Sequence, residues 1–367
     1  MPLKKVIISG GGTGGHIFPA IAIANRIKLS YPDAEILFVG ADGKMEMEKV
    51  PKAGYKIVGL PIRGIQRKFA LQNLLVPFKL FASLRKSRKI VREFKPDIAI
   101  GVGGYASAAV VRVAMKMGVP GLIQEQNSYP GITNKWLAGR ARTICVAYDH
   151  LDRFFPAEKI VKTGNPVRED VIKIEGKKQM ALEHFKLSSD KKTVLVIGGS
   201  LGARTLNESL KKDYQHLLDA NLQLIWQCGK FYINDLKLVV ESENTNGIYL
   251  SDFIYEMDLA YAAADVIISR AGAISVSELC LIGKPVVLVP SPNVSEDHQT
   301  KNAMALVDVN AAMLVKDVVA MNELIPTTLA LVQNTKRMDE LSANIKKLGI
   351  PDASDRIMAE IEKIVGK

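Results

Sequence analysis

The stretch Lys5-Val6-Ile7-Ile8-Ser9-Gly10-Gly11-Gly12-Thr13-Gly14-Gly15-His16 constrains this chain more than any other. A short apolar run enters a cluster of glycines and ends on a histidine, ahead of an amphipathic segment from Ile17 to Leu29. In physical terms this is a buried strand, a tight turn and a helix N-terminus. Glycine tolerates positive φ and lets a backbone approach a ligand closely. The unpaired N–H groups and the positive end of the helix dipole favour an anion, phosphate above all. The same design returns at Thr193-Val194-Leu195-Val196-Ile197-Gly198-Gly199-Ser200-Leu201-Gly202-Ala203-Arg204. Two such units in one chain imply two anion sites, and so two phosphate-bearing ligands.

A chain of 367 residues exceeds one ordinary core, so two domains are expected. It holds no 18-residue apolar run, which excludes a transmembrane helix. The apolar stretch before the first glycines is too short for the core of a signal peptide. Cys145, Cys228 and Cys280 are odd in number and scattered, which fits a reducing compartment better than a disulfide framework. No Cys/His spacing suggests zinc. The net charge of +11 is concentrated: between Leu60 and Lys95 there are ten Lys/Arg and one acid, Glu93. Such a surface attracts nucleic acid, acidic lipid or phosphorylated substrates, or it is simply a solvated helix face.

Apolar strands alternate with helical patterns throughout. Strands are expected at 6–9, 36–39, 57–60, 98–102, 121–124 and 143–147, and again at 194–197, 223–227, 248–250, 266–269, 286–289 and 312–315. Near-continuous apolar strands separated by helices predict parallel sheets covered on both faces. The break falls near Gly164-Asn165-Pro166-Val167-Arg168. The expected organisation is an α/β chain of two doubly wound, Rossmann-like domains facing a central cleft. They are 1–165 and 166–350, with a capped helix over 351–367 returning to the first. Each domain would bind a ligand at the carboxyl ends of its strands.

Several constellations sit at those ends. Gly10-x-Gly12-x-x-Gly15 formally satisfies the dinucleotide fingerprint, yet the only acid near the end of the second strand is Asp42, which comes late. His16 opens the helix, where the positive helix end favours a neutral imidazole suited to a general base; the plainer reading is a polar first-turn residue. Gly101-Val102-Gly103-Gly104-Tyr105 is a second glycine turn. With Gly11 and Gly12 it can form a two-sided cradle for a diphosphate, or it is an ordinary strand–helix turn. Gln124-Glu125-Gln126-Asn127 is a polar cluster larger than helix capping requires. After Ser269-Arg270-Ala271-Gly272 comes Ala273-Ile274-Ser275-Val276-Ser277-Glu278. There Glu278 can accept both hydroxyls of a ribose or serve as a capping partner, and Ser275 or Ser277 can cap. Gln299 lies in a polar helix start, 297–302. Leu75, Phe78 and Phe81 precede Arg85, Lys86, Arg88 and Lys89, a pattern of an interfacial membrane patch or of a core helix with a charged outer face.

Taken together, Gly-Gly-Thr-Gly-Gly-His at 11–16, Gly-Gly-Tyr at 103–105, Glu-Gln-Asn at 125–127, Thr-Asn-Lys-Trp-Leu-Ala at 133–138, Gly-Asn-Pro-Val-Arg at 164–168, Gly-Gly-Ser-x-Gly-Ala-Arg at 198–204, Val-Ser-Glu at 276–278 and Ile-Pro-Asp-Ala at 350–353 resemble the peripheral-membrane N-acetylglucosaminyltransferases of peptidoglycan synthesis, in glycosyltransferase family 28. The motifs fall in order across nearly the whole chain. The resemblance implies a GT-B fold and inverting transfer of N-acetylglucosamine (GlcNAc) from UDP-GlcNAc. The acceptor is the C4 hydroxyl of the N-acetylmuramoyl (MurNAc) sugar of undecaprenyl-linked lipid I, giving lipid II, on the cytoplasmic face of the cell membrane. It places the lipid-linked acceptor on the first domain and the donor on the second. It also implies a donor site lined by Thr13, Gly14, Gly15, Asn127, Arg168, Ser200, Ile254, Ala273–Glu278 and Gln299. Ala271 stands where the family commonly has serine, which removes one hydroxyl from that turn.

His16 is the first candidate for the base that takes the acceptor proton and Glu125 the second. No cofactor is implied, and with no Asp-x-Asp anywhere no metal either. An anionic membrane surface is the expected partner and nucleic acid is not. Three other readings are a UDP-GlcNAc 2-epimerase-like enzyme of the same fold, a nicotinamide oxidoreductase, and a non-catalytic basic module that binds nucleic acid. Stabilisation by UDP, by NAD or by neither separates these classes, and acceptor-dependent UDP release separates transferase from epimerase.

Overall fold

The computed structural model describes residues 3–62, 76–199, 201–242 and 246–366. The chain divides into two compact units, Met1–Val167 with Asp352–Lys367, and Arg168–Pro351.

In unit 1 the order is β1 (Lys5–Gly10), α1 (Gly14–Ser30), β2 (Glu35–Ala41), α2 (Glu46–Lys52), β3 (Lys56–Leu60), α3 (Val76–Phe94), β4 (Ile98–Gly103), α4 (Tyr105–Lys116), β5 (Gly121–Glu125), α5 (Ile132–Ala138), β6 (Thr143–Val146) and β7 (Ile160–Lys162). All pairings are parallel, in the order β3-β2-β1-β4-β5-β6-β7. β1 and β4 are buried over nearly their whole length, which is why they read as continuous apolar runs rather than alternating ones. β7 was not expected. Its three residues are only partly buried at the sheet edge, too short and too polar to stand out.

Unit 2 runs α6 (Glu169–Ile172), α7 (Lys178–His184), β8 (Lys192–Ile197), α8 (Arg204–Asp219), β9 (Leu222–Gln227), α9 (Ile233–Ser242), β10 (Ile248–Ser251), α10 (Met257–Ala263), β11 (Val266–Ser269), α11 (Ala273–Ile282), β12 (Val286–Leu288), α12 (His298–Val307), β13 (Met313–Leu314), α13 (Ala320–Gln333) and α14 (Thr335–Lys347). Its sheet is again parallel, β10-β9-β8-β11-β12-β13. Two of its strands are shorter than the apolar runs that announced them: β12 lacks Val289, and β13 keeps only Met313 and Leu314 of 312–315.

The last helix, α15 (Ala353–Val365), belongs to unit 1 and packs on α1. Ile357, Met358 and Ile361 join the cluster of Ile17, Ala20, Ile23 and Ile27, each burial worth about 1.5–3 kcal/mol. Arg26 and Asp355 form an ion pair across the two helices. All three cysteines are buried and unbridged.

In both sheets the strand order reverses once, between β1 and β4 and between β8 and β11. Chains leaving two neighbouring strands there diverge to opposite faces, so a crevice opens at the carboxyl ends. Both glycine loops lie at these points: Gly10–Gly15 follows β1 and Gly198–Gly202 follows β8.

Candidate functional site

At the switch point of unit 1, Gly10–His16 and Gly103–Tyr105 meet directly. Gly10 pairs with Gly103 across a register shift after Ser9. Gly103 has φ +105°, and a Cβ there would come within 2.7 Å of the His16 ring. A Cβ on Gly104 would come within 2.6 Å of the Gly11 carbonyl oxygen. The glycines of the second turn therefore let two loops touch and leave the His16 ring its place. This modifies the expected open cradle, because Gly11 and Gly104 are spent on each other.

His16 is half-buried in the first turn of α1. Its Nδ1 lies 3.0 Å from the Gly11 carbonyl oxygen and 3.4 Å from Thr13 Oγ1. A carbonyl oxygen only accepts, so Nδ1 carries the proton, and in the neutral ring Nε2 keeps its lone pair. Thr13 is the helix N-cap residue without a side-chain cap bond, and Gly14 and Gly15 supply first-turn amides that have no partner within the helix.

Two carboxylates, Glu125 and Glu46, serve this edge. Glu125 is buried, and its two oxygens accept four bonds. One takes the Asn127 amide and side chain at 3.0 and 3.1 Å; the other takes the Gly131 amide and Asn134 Nδ2 at 3.1 and 2.8 Å. A carboxylate so engaged shapes the 125–134 loop; Glu125 is the second candidate base, after His16. Its neighbours Gln124 and Gln126 turn inward too. Gln124 donates to Asn165 at 2.8 Å, and Asn165 donates to the Gln126 carbonyl at 3.0 Å. The polar run thus fastens the end of the unit's last segment rather than facing solvent as a block.

The second carboxylate, Glu46, was missed by sequence reading. It opens α2 and is 1% exposed, accepting from the Gly12 amide at 2.9 Å and the Ala41 amide at 3.0 Å. The Gly12 amide therefore points into the protein, away from any diphosphate. Asp42, the acid considered for a ribose, instead lies against Gly59 of β3. The only hint in the sequence was an acid a few residues past the second strand, with no spacing rule to separate Glu46 from Asp42, Glu48 or none.

In unit 2 the N-termini of α8 and α11 flank the switch point. Ser200 lies outside the described residues. Gly272 is the N-cap residue of α11, so Ala273, Ile274 and Ser275 carry its unpartnered first-turn amides. Neither expected serine cap forms; Ser277 Oγ donates back to the Ala273 carbonyl at 3.0 Å. Arg270 is held by the Val289 and Pro290 carbonyls and by Asp317, with both members of the ion pair largely buried. It braces the sheet edge.

Glu278, in the second turn of α11, accepts from the buried Tyr261 hydroxyl at 3.0 Å. Burial pushes its carboxyl up to about 7; the Tyr261 bond and the Arg168 charge pull the other way and Asp170 opposes them. Arg168 itself pairs with Asp170 at 3.1 Å on the surface. Gln299 uses its carbonyl oxygen on the Ser291 amide, 2.8 Å, which turns its amide nitrogen outward from that turn. The Ile254 side chain is 2% exposed within the core, so only its backbone can meet a ligand. Val276 is likewise buried.

On α3 the apolar residues Phe78 and Phe81 are 75% and 63% exposed, and Arg85, Lys86, Arg88 and Lys89 are exposed as well. Leu75 lies outside the described residues. The opposite face of the helix carries Ser83, Ser87, Ile90 and Val91 into the unit, against α4. Among the described residues no cluster of three His, Cys, Asp or Glu side chains could hold a metal ion.

Two Rossmann-like units, each with a glycine loop and helix N-termini at its switch point, define the GT-B architecture. Residues 6–146 match the glycosyltransferase family 28 N-terminal domain and residues 193–357 the family's C-terminal domain. The chain belongs to glycosyltransferase family 28. It is 57% identical to the UDP-N-acetylglucosamine–N-acetylmuramyl-(pentapeptide) pyrophosphoryl-undecaprenol N-acetylglucosamine transferase of Parabacteroides distasonis, over 99% of each chain. The same enzyme of Flavobacterium psychrophilum is 54% identical, over 100% of this chain and 99% of that one. Among solved structures, the MurG of Acinetobacter baumannii superposes with a TM-score of 0.78 at 28% identity, covering 98% of this chain and 99% of that one. A UDP-N-acetylglucosamine 2-epimerase shares the fold alone, with a TM-score of 0.66 at 14% identity.

Proposed function

We propose that this protein transfers GlcNAc from UDP-GlcNAc to the C4 hydroxyl of the MurNAc of lipid I, forming lipid II with inversion at the anomeric carbon. The observation that carries the reading is full-length identity above one half to transferases named for that donor and acceptor.

Unit 2 takes the donor. The first-turn amides of α11 and the loop before α8, with Arg168, meet the diphosphate and its growing negative charge as UDP leaves. Glu278 accepts the ribose hydroxyls through the oxygen not engaged by Tyr261, and the Ile254 backbone addresses the base. Gln299 meets sugar hydroxyls with its amide nitrogen.

Unit 1 takes the acceptor. His16 Nε2, the nitrogen left without a proton when Nδ1 donates to Gly11, removes the C4 hydroxyl proton as that oxygen attacks. Tyr105 and the Gly103–Gly104 turn receive the acceptor diphosphate, while Thr13, Gly14, Gly15 and Asn127, the last held by Glu125, address the donor. Phe78 and Phe81 enter the headgroup region of the membrane while Arg85, Lys86, Arg88 and Lys89 meet anionic lipid, which gives peripheral attachment on the cytoplasmic face. No described helix is long and apolar enough to cross a membrane, in keeping with surface attachment.

The test is UDP release from UDP-GlcNAc with and without a soluble lipid I analogue. Strict acceptor dependence with a disaccharide product is expected. Acceptor-independent UDP release with an epimerised sugar overturns the reading. His16→Ala lowers kcat by about 10²–10⁴-fold and leaves UDP-GlcNAc affinity intact; near-wild-type kcat rejects His16 as the base.

A further inference from the structure

The geometry points to Glu46 as the positioning residue for His16, acting through the single peptide plane between Gly11 and Gly12. The inference rests on the reading of His16 as the base. The Gly12 N–H and the Gly11 C=O belong to one rigid trans peptide unit and point to opposite sides of it. Glu46 Oε2 accepts that N–H at 2.9 Å, and His16 Nδ1 donates to that C=O at 3.0 Å. Rotating the plane breaks both bonds together. Whatever fixes the plane therefore fixes which imidazole nitrogen carries the proton, and so whether Nε2 is a base.

Three features make Glu46 that anchor. Its other oxygen accepts the Ala41 amide at 3.0 Å, which ties the loop after β1 to the end of β2. Glu46 is fully buried and both of its oxygens accept backbone amides, so neither bond is shared with water. Its slot is cut for it: a Cβ on Gly11 would lie 2.2 Å from Oε1, and a Cβ on Gly40 would lie 2.6 Å from Cγ. Gly11 is not among the positive-φ residues. Its lack of a side chain serves the carboxylate, not a turn. A carboxylate on the N–H side also polarises the peptide and makes its C=O a better acceptor for Nδ1–H.

A purely structural role for Glu46 predicts lower stability and nothing specific at His16. The discriminating readout is the tautomer of His16 in the full-length protein, read from imidazole ¹⁵N shifts. The resonance, one of five histidines, is assigned by its loss in His16→Ala. The wild type is expected to show the Nδ1–H tautomer. Glu46→Gln replaces one acceptor by an NH₂ facing an N–H. Gly11→Ala leaves Glu46 in place and pushes its carboxylate aside. Both variants should move the neutral ring toward the Nε2–H form and lower kcat by about 10- to 100-fold, with the UDP-GlcNAc KM unchanged. Retention of the Nδ1–H tautomer in both variants, while UDP-GlcNAc still binds, overturns the proposal. A tautomer change with unchanged kcat keeps the anchor and rejects instead the reading of His16 as the base.

Discussion

Donor binding is expected to release a proton, and Glu278 sets how much. Burial holds its carboxyl at about 7 in the free protein, with Arg168 and the Tyr261 hydroxyl favouring the anion and Asp170 opposing it. Tyr261 occupies one oxygen. Ribose hydroxyls that donate to the carboxylate need the ionised form, so only that fraction binds with full affinity. One unit below the midpoint roughly one carboxyl in eleven is ionised, and one unit above it roughly ten in eleven. UDP-GlcNAc should therefore bind about tenfold more weakly at pH 6 than at pH 8, a difference of about 1.4 kcal/mol. UDP-GlcNAc is the right ligand because its diphosphate is esterified at both ends and does not titrate in this range, unlike that of UDP. The assay is isothermal titration calorimetry at pH 6, 7 and 8, in two buffers of different ionisation enthalpy. About half a proton should be released per site at pH 7. Glu278→Gln keeps an oxygen for the Tyr261 hydroxyl; it should flatten the pH dependence and cost about 1–3 kcal/mol of affinity at pH 8. Affinity independent of pH in the wild type, with no proton released, refutes an anionic Glu278 under the ribose.

The same carboxyl affects folding. Its pKa is raised in the folded state, so the stability it permits is full below about pH 4.5 and is lost as pH rises through about 7. The loss is at most about 3 kcal/mol, and thermal melts of the unliganded protein should show Glu278→Gln gaining on the wild type at pH 8 and matching it at pH 4.5. Phe78→Ser with Phe81→Ser should abolish flotation with anionic vesicles. Neutralising Arg85, Lys86, Arg88 and Lys89 should remove mainly the salt-sensitive part; equal binding of the wild type to neutral and anionic vesicles at low salt contradicts the electrostatic share. Because no Asp-x-Asp occurs in the chain, transfer should persist in excess EDTA, and complete loss reversed by a divalent cation would overturn that expectation.

What the sequence by itself determined is what parallel βα units encode locally. A buried central strand such as β4 must be apolar on both faces, and a glycine turn must follow where a loop crosses a switch point. Fold class, the two glycine loops and most strands were therefore legible, while short β7 was not. Motifs in order along the chain carried the family, because a family is a linear property.

Tertiary structure alone decided which polar side chains are engaged, since those bonds join residues distant in sequence. Glu125 looked available, and its four donors come from the loop that folds back over it. Arg270 carried no assignment in the sequence, and Asp317 and two carbonyls hold it. Glu46 had no pattern around it, yet it reaches across 34 residues to the Gly12 amide. Nothing in the spacing of Tyr261 and Glu278 announced that a buried phenol would take one carboxylate oxygen. A hydrogen bond needs an angle and a distance, and only the packed chain supplies those.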